Sequence, residues 1–226
     1  NVPLMQYEYG GKAPRRVGMG ADMVMMMPPY HGVGLVPSEE VIFQQFRSVN
    51  DAISIPIMLQ DAPLSGAALS VPFLGRLARE LENLSYFKIE CPFAADKLAA
   101  LLETAGDYIE GPFDGEEAIT LLADLDAGAT GTMTSGMFAE HQGQIVRAYL
   151  EGRKDDALSK WKEVLPLINH ENRQCGLRAC KTVYMTGGVI GSDYVRHPLQ
   201  PLSERTKTRL LELATDLDLI ALRWGK

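Results

Sequence analysis

Short apolar runs rich in Val, Ile and Met alternate with segments of helical period through the first half of the chain. Such runs occupy 2–6, 23–27, 55–60, 86–90, 108–110 and 130–134, the first being the weakest. From the second onward they start roughly 22 to 32 residues apart, the length of one strand with its crossover helix. That alternation predicts a parallel sheet. Ser38-Glu39-Glu40 reads as a helix start, with a capping hydroxyl and two carboxylates at the positive end of the dipole. Val41, Ile42, Phe46 and Val49 then form its buried stripe. The same reasoning predicts helices over 71–82, 94–105 and 115–126, the last opened by Glu116 and Glu117. Beyond Thr134 the strand pattern stops. Helices are predicted over 137–152, over 154–168 with a continuation to 185, and over 203–223. Gly187-Gly188 and the stretch from Pro198 to Pro201 punctuate them.

No Gly-rich phosphate turn follows any of these strands, which sets aside an open doubly wound sheet. The order fits an α/β fold, a (β/α)8 TIM-type barrel followed by a C-terminal helical domain. Residues 1–136 are expected to form the partial barrel and 137–226 a three-helix domain. Six strands are countable where a closed barrel needs eight, so these 226 residues are expected to lack the barrel's first strands.

The chemistry concentrates on Tyr86-Phe87-Lys88-Ile89-Glu90. With a period of two, Lys88 and Glu90 share one face and Phe87 and Ile89 the other. Helices cover the outside of a barrel, so the apolar pair is expected to face outward and the charged pair inward. Burial favours a neutral amine, the form that attacks a ketone to make a Schiff base. A carboxylate one inward position along can move protons as general acid and base. A buried Lys–Glu pair that only fixes packing is the other reading of the same residues.

Composition narrows the remaining possibilities. Twenty-two Lys+Arg against 29 Asp+Glu leave a net charge of −7, with a pI near 5.2. This is a poor match for nucleic-acid binding, which rests on clustered cations. No run approaches the roughly 20 apolar residues of a membrane span. Residues 1–18 contain Lys12, Arg15 and Arg16 but no apolar core with a cleavage site, so a secretory signal is not expected. Three cysteines, Cys91, Cys175 and Cys180, fit a reducing compartment, and the expected address is the cytoplasm.

Several motifs, taken in order, carry a resemblance. They are Gly20-Ala21-Asp22-Met23-Val24 through Pro28-Pro29-Tyr30, Phe87-Lys88, and Gly115-Glu116-Glu117-Ala118. Further on come Gly128-Ala129-Thr130-Gly131-Thr132-Met133-Thr134-Ser135, Lys181 through Gly191, and Pro198-Leu199-Gln200-Pro201-Leu202-Ser203. The chain resembles the dihydrodipicolinate synthase and N-acetylneuraminate lyase family from about residue 19 onward. The resemblance implies a class I aldolase-type barrel, a lysine imine with a 2-keto acid, no separate cofactor, and a homotetramer. Lys88 matches the imine lysine.

Where synthases and lyases of that family carry a Tyr at a strand end, this chain has Gln60-Asp61-Ala62-Pro63. An amide does not titrate, although it can hydrogen-bond a substrate hydroxyl. His31 follows Tyr30, where synthases carry a relay tyrosine. Glu90 is the replacement proton carrier. Lys-Ile-Glu together with Gln-Asp-Ala-Pro is similar to the 2-keto-3-deoxy-L-arabinonate dehydratase branch. That likeness implies dehydration of a 2-keto-3-deoxy sugar acid to 2,5-dioxopentanoate and water. A 2-keto acid aldolase or synthase working through a pyruvate imine is the alternative enzyme. The family's Gly-Thr-Thr-Gly-Glu-like carboxylate-binding loop has no counterpart in residues 1–18, which motivates a third reading, a catalytically impaired assembly subunit.

Tyr30 and His31 are expected to touch substrate or a neighbouring subunit, with loop packing as the alternative. Gly115 and Met133 match pocket-lining positions, against turn geometry and core packing respectively. Met23, Met25, Met26 and Met27 read as adaptable core rather than a soft-metal site, and no metal is expected. Asp61 and Asp114 stand at strand ends, where they could orient a hydroxylated substrate or cap a loop. His141, His170 and His197 are expected at the surface or at helix caps.

Overall fold

The computed structural model describes residues 18, 20–29, 36–62, 65–115 and 117–226. The expected strand at 2–6, Tyr30 and His31 lie outside the described residues. Packing divides the chain into two compact units, one of 1–116 with 120–131 and the other of 117–119 with 132–226.

The first unit alternates β1 (Val24–Met26), α1 (Glu39–Asn50), β2 (Ile57–Asp61), α2 (Val71–Glu80), β3 (Leu84–Ile89), α3 (Ala94–Ala105), β4 (Gly111–Asp114) and α4 (Leu121–Asp126), and the short β5 (Gly131–Thr132) follows. The five strands lie side by side in chain order, and β1 through β4 pair in parallel. Sequential parallel strands with helical crossovers are the order of a (β/α) barrel. Ser38 caps α1 as expected, accepting from the Val41 amide. The buried stripe runs through Ile42, Phe43, Phe46 and Val49, whereas Val41 is half exposed. Phe43 holds the inward position because its ring lies under the Arg47 and Arg76 guanidinium groups, at 4.6 and 3.9 Å.

Two elements of this unit depart from the pattern. The strand expected at 108–110 begins at Gly111, and Gly106–Tyr108 forms a 3-10 turn. Gly111 and Pro112 look like turn residues, but the strand needs the glycine. A Cβ on Gly111 would lie 2.6 Å from both the Tyr86 and Phe113 rings, which fill the face that β3 and β4 share. The helix expected over 115–126 starts only at Leu121, because Glu117 and Ala118 have φ of 55° and 66°, a left-handed conformation that no right-handed helix contains.

The second unit is helical, with α5 (Ala139–Leu150), α6 (Lys154–His170), α7 (Arg178–Thr186) and α8 (Glu204–Asp216). The Trp161 indole on α6 donates to the Ala118 carbonyl at 2.9 Å, tying the left-handed turn to this unit. The helix expected to run on from 154 to 185 is interrupted. A π-turn over Glu171–Cys175 ends at Gly176, whose φ is 58°, and α7 starts afresh. The helix expected over 203–223 ends at Asp216, and a 3-10 turn follows at Ile220–Leu222. Among the described residues no helix is long and apolar enough to cross a membrane.

Candidate active site

β2 and β3 bring the predicted pair together with a third group. Register sets Gln60 beside Lys88 and Lys88 beside Phe113. The ladder runs one residue past β3, since the Glu90 amide donates to the Asp61 carbonyl at 2.8 Å. Phe87 and Ile89 are fully buried on the face opposite Lys88, as the period of two requires.

Lys88 is 8% exposed, and its Nζ lies 2.9 Å from Glu90 Oε2. Gln60 Nε2 donates to the same oxygen at 2.7 Å. A carboxylate only accepts, so the amide nitrogen must be the end that faces it. Both donors converge on Oε2, leaving Oε1 without a protein donor among the described residues. The Glu90 side chain is 28% exposed, open enough for a ligand to reach.

Gly115 packs directly on this group. Its amide donates to the Ile89 carbonyl at 2.9 Å, and a Cβ there would sit 2.7 Å from that oxygen and 2.9 Å from Glu90 Cβ. Any larger residue would displace the strand end that carries the carboxylate. Met133 falls in the second unit and is partly buried there.

The opposite face of the same strand ends carries a different pair. Asp61, Ile89 and Asp114 are register partners. Asp61, 2% exposed, forms an ion pair with Lys97 of α3 at 2.6 Å. Lys97 also donates to the Leu69 carbonyl at 2.6 Å. Burial pushes the Asp61 carboxyl above its ordinary range despite that lysine. Asp61 therefore ties a helix to the sheet, on the side away from Lys88. Asp114 is fully buried on that same face.

A second acidic group lies wholly within the helical unit. Thr134 Oγ1 donates to Glu117 Oε2 at 3.2 Å. Glu117, Thr134, Ser135, Glu171 and Cys180 are among the residues lining a cleft of about 280 Å³. Glu171 is 6% exposed, and its Oε2 has no hydrogen-bond partner among the described residues. Desolvation raises its carboxyl to about 7, helped by the charge of Glu117 and opposed by a hydrogen bond with Ser135. Burial also pushes the Cys175 thiol up to about 11. Glu171 is absent from the residues singled out above, although the sequence carries a signal for it. Val164, Ile168, Glu171 and Cys175 follow the buried spacing of a helix, which places a carboxylate on an apolar stripe.

Sequential parallel strands with a buried lysine at the carboxyl end of one of them point to barrel enzymes that act through that end. Residues 12–217 match the Dihydrodipicolinate synthetase family, and the chain belongs to that family. An L-2-keto-3-deoxyarabonate dehydratase of Azospirillum brasilense is 56% identical over 207 residues, covering 92% of this chain and 67% of that protein. A 4-hydroxy-tetrahydrodipicolinate synthase of Halalkalibacterium halodurans is 31% identical over 201 residues, covering 87% of this chain and 64% of the synthase. The chain thus spans about two thirds of the length of these curated relatives. The crystal structure of dihydrodipicolinate synthase from Aquifex aeolicus superposes with a TM-score of 0.85, covering 95% of this chain and 72% of that one. At 21% identity that likeness establishes the fold.

Proposed function

We propose that the protein is a Schiff-base hydro-lyase that dehydrates a 2-keto-3-deoxy sugar acid, namely L-2-keto-3-deoxyarabonate, to 2,5-dioxopentanoate. The observation that carries the reading is Lys88, 8% exposed and 2.9 Å from the accessible Glu90 carboxylate, in a chain 56% identical to a dehydratase of that substrate. In this reading Lys88 passes a proton to Glu90 and attacks the C2 ketone, and Glu90 returns that proton to the departing hydroxyl, so that one water leaves and an iminium forms. The iminium acidifies the C3 protons. Glu90 takes one of them, leaving an enamine, and gives a proton to the C4 hydroxyl, which departs as water. Loss of a proton from C5 and of the proton on its hydroxyl, with protons taken up at C3 and C4, turns the terminal carbinol into an aldehyde. Hydrolysis with one water then frees Lys88. The net change is loss of one water with every carbon retained, and the covalent lysine replaces any cofactor. Gly115 keeps the strand end close, and Tyr30, His31 and Met133 remain candidates for substrate contact. A homotetramer and a cytoplasmic address complete the proposal.

Borohydride trapping with L-2-keto-3-deoxyarabonate and, separately, pyruvate, followed by peptide mass spectrometry, tests it. The expected result is a reduced adduct on Lys88 with the sugar acid, accompanied by semialdehyde and no pyruvate. Released pyruvate would replace the dehydratase with an aldolase. A folded protein that forms no adduct with either compound would turn the reading toward a noncatalytic assembly subunit.

A further inference from the structure

Resting on the dehydratase reading, we infer that Gln60 is a positioning residue that acts through Glu90, holding it toward the substrate once Lys88 has become an imine. Before reaction, two donors hold Glu90 Oε2, the Lys88 ammonium at 2.9 Å and the Gln60 amide at 2.7 Å. An ammonium offers three N–H donors around a rotatable bond. An iminium nitrogen carries one N–H, and its plane is set by the C=N bond to the substrate. Imine formation therefore keeps the positive charge but leaves the Lys88 nitrogen a single N–H whose direction the substrate fixes, which weakens its hold on Glu90 at the stage when Glu90 must take the C3 proton. Gln60 is untouched by that change.

The geometry suits this task. Gln60 and Lys88 are register partners on adjacent strands, so their side chains rise from the same face about 5 Å apart. Glu90 follows two residues along that face, and its amide is fixed to the Asp61 carbonyl, the residue after Gln60. The amide reaches Oε2, and Oε1 has no donor among the described residues. An amide neither gains nor loses a proton across the working pH range, so its hold on the carboxylate is constant while Glu90 cycles between base and acid. A misplacement of a reacting group by about 1 Å lowers a rate by about 100-fold.

The test separates imine formation from dehydration in the full-length protein. In Gln60→Leu the borohydride adduct on Lys88 is expected to form to the same extent as in the unsubstituted protein. The same variant should lose about 100-fold in kcat with KM within about threefold. Gln60→Glu keeps the side-chain length but presents an acceptor to an acceptor at neutral pH. Its kcat is expected to be low at pH 7 and to recover in part as the pH falls, because two facing carboxylates come to share one proton and the new side chain again donates to Glu90. A residue that only filled space would give no such acid recovery. Unchanged kcat in Gln60→Leu would overturn the inference, as would a rise in KM alone, which means direct substrate contact, or a parallel loss of adduct and turnover. An unsubstituted protein that forms no adduct would bring down the dehydratase reading itself, a result distinguishable from all of these.

Discussion

Two lysine–carboxylate pairs stand at the same end of one sheet, in adjacent register positions and on opposite faces. Lys88–Glu90 closes at 2.9 Å and Lys97–Asp61 at 2.6 Å, so distance does not distinguish them. The setting of the carboxylate does. Asp61 is sealed between the sheet and α3, with its side chain 3% exposed, and its lysine is anchored a second time on the Leu69 carbonyl. Glu90 stands at the strand end with its side chain 28% exposed and takes a donor from the neighbouring strand. The first pair fastens a helix to the sheet. The second has the setting that the proposed reaction needs, because a group that exchanges protons with a substrate must be both oriented and reachable.

The sharpest separation is expected from removing each lysine in turn. Lys88→Met should abolish the borohydride adduct and lower turnover by about 10⁴-fold. Its urea unfolding free energy should change by no more than about 1 kcal/mol, since Glu90 can turn to water. Lys97→Met should do the reverse. It leaves a buried carboxylate unpaired, a loss of about 3–5 kcal/mol in the same measurement, with turnover per folded molecule within about twofold. A large stability loss in Lys88→Met, or a large activity loss in folded Lys97→Met, would erase the distinction between the two faces.

How much of this contrast was legible beforehand depends on the range of the interactions involved. The period of two along Tyr86-Phe87-Lys88-Ile89-Glu90 put Lys88 and Glu90 on one face and the apolar pair on the other, because that alternation is local. Gln60 was legible as a site residue but not as the partner of Glu90, which lies 30 positions away. Asp61 read equally well as a substrate contact, since nothing near it in sequence reveals Lys97. The strand expected at 108–110 stops short of Gly111 because the Tyr86 ring that helps require its bare Cα comes from the neighbouring strand. The left-handed Glu117–Ala118 turn was invisible for the same reason, its anchor being the Trp161 indole 43 positions on.

Glu171 supplies the intermediate case, a buried carboxylate with no lysine partner among the described residues. Its carboxyl is raised to about 7 by desolvation, with the charge of Glu117 adding to it, so the folded state holds the proton more tightly than the unfolded chain does. The stabilising effect is fully present below pH 4.5 and is lost as pH climbs through 7, a swing of about 3 kcal/mol. Glu171→Gln, which cannot ionise, should flatten that part of the stability profile, measured by urea unfolding at pH 5 and pH 8. The variant should be the more stable of the two proteins at pH 8. An unchanged slope would mean that Glu171 carries its charge in the folded protein at neutral pH, and that burial is not what separates these carboxylates.

The smallest effect expected is also the closest test of what the outer pair does. Replacing both members together, Asp61→Leu with Lys97→Met, removes the buried charge and its partner at once. Buried ion pairs exchanged for apolar groups of similar volume are often neutral or stabilising, because the desolvation cost disappears along with the attraction. Here one hydrogen bond is lost as well, from Lys97 to the Leu69 carbonyl, and an unmet acceptor costs about 1 kcal/mol. The double variant should therefore unfold within about 1 kcal/mol of the unsubstituted protein, several kcal/mol better than Lys97→Met alone, and should retain its turnover. The corresponding exchange on the inner face, Lys88→Met with Glu90→Leu, should be as well folded and inactive. If the outer double variant lost turnover while remaining folded, the Asp61–Lys97 pair would be setting the position of β2, and with it Gln60, and the two faces would be one functional unit.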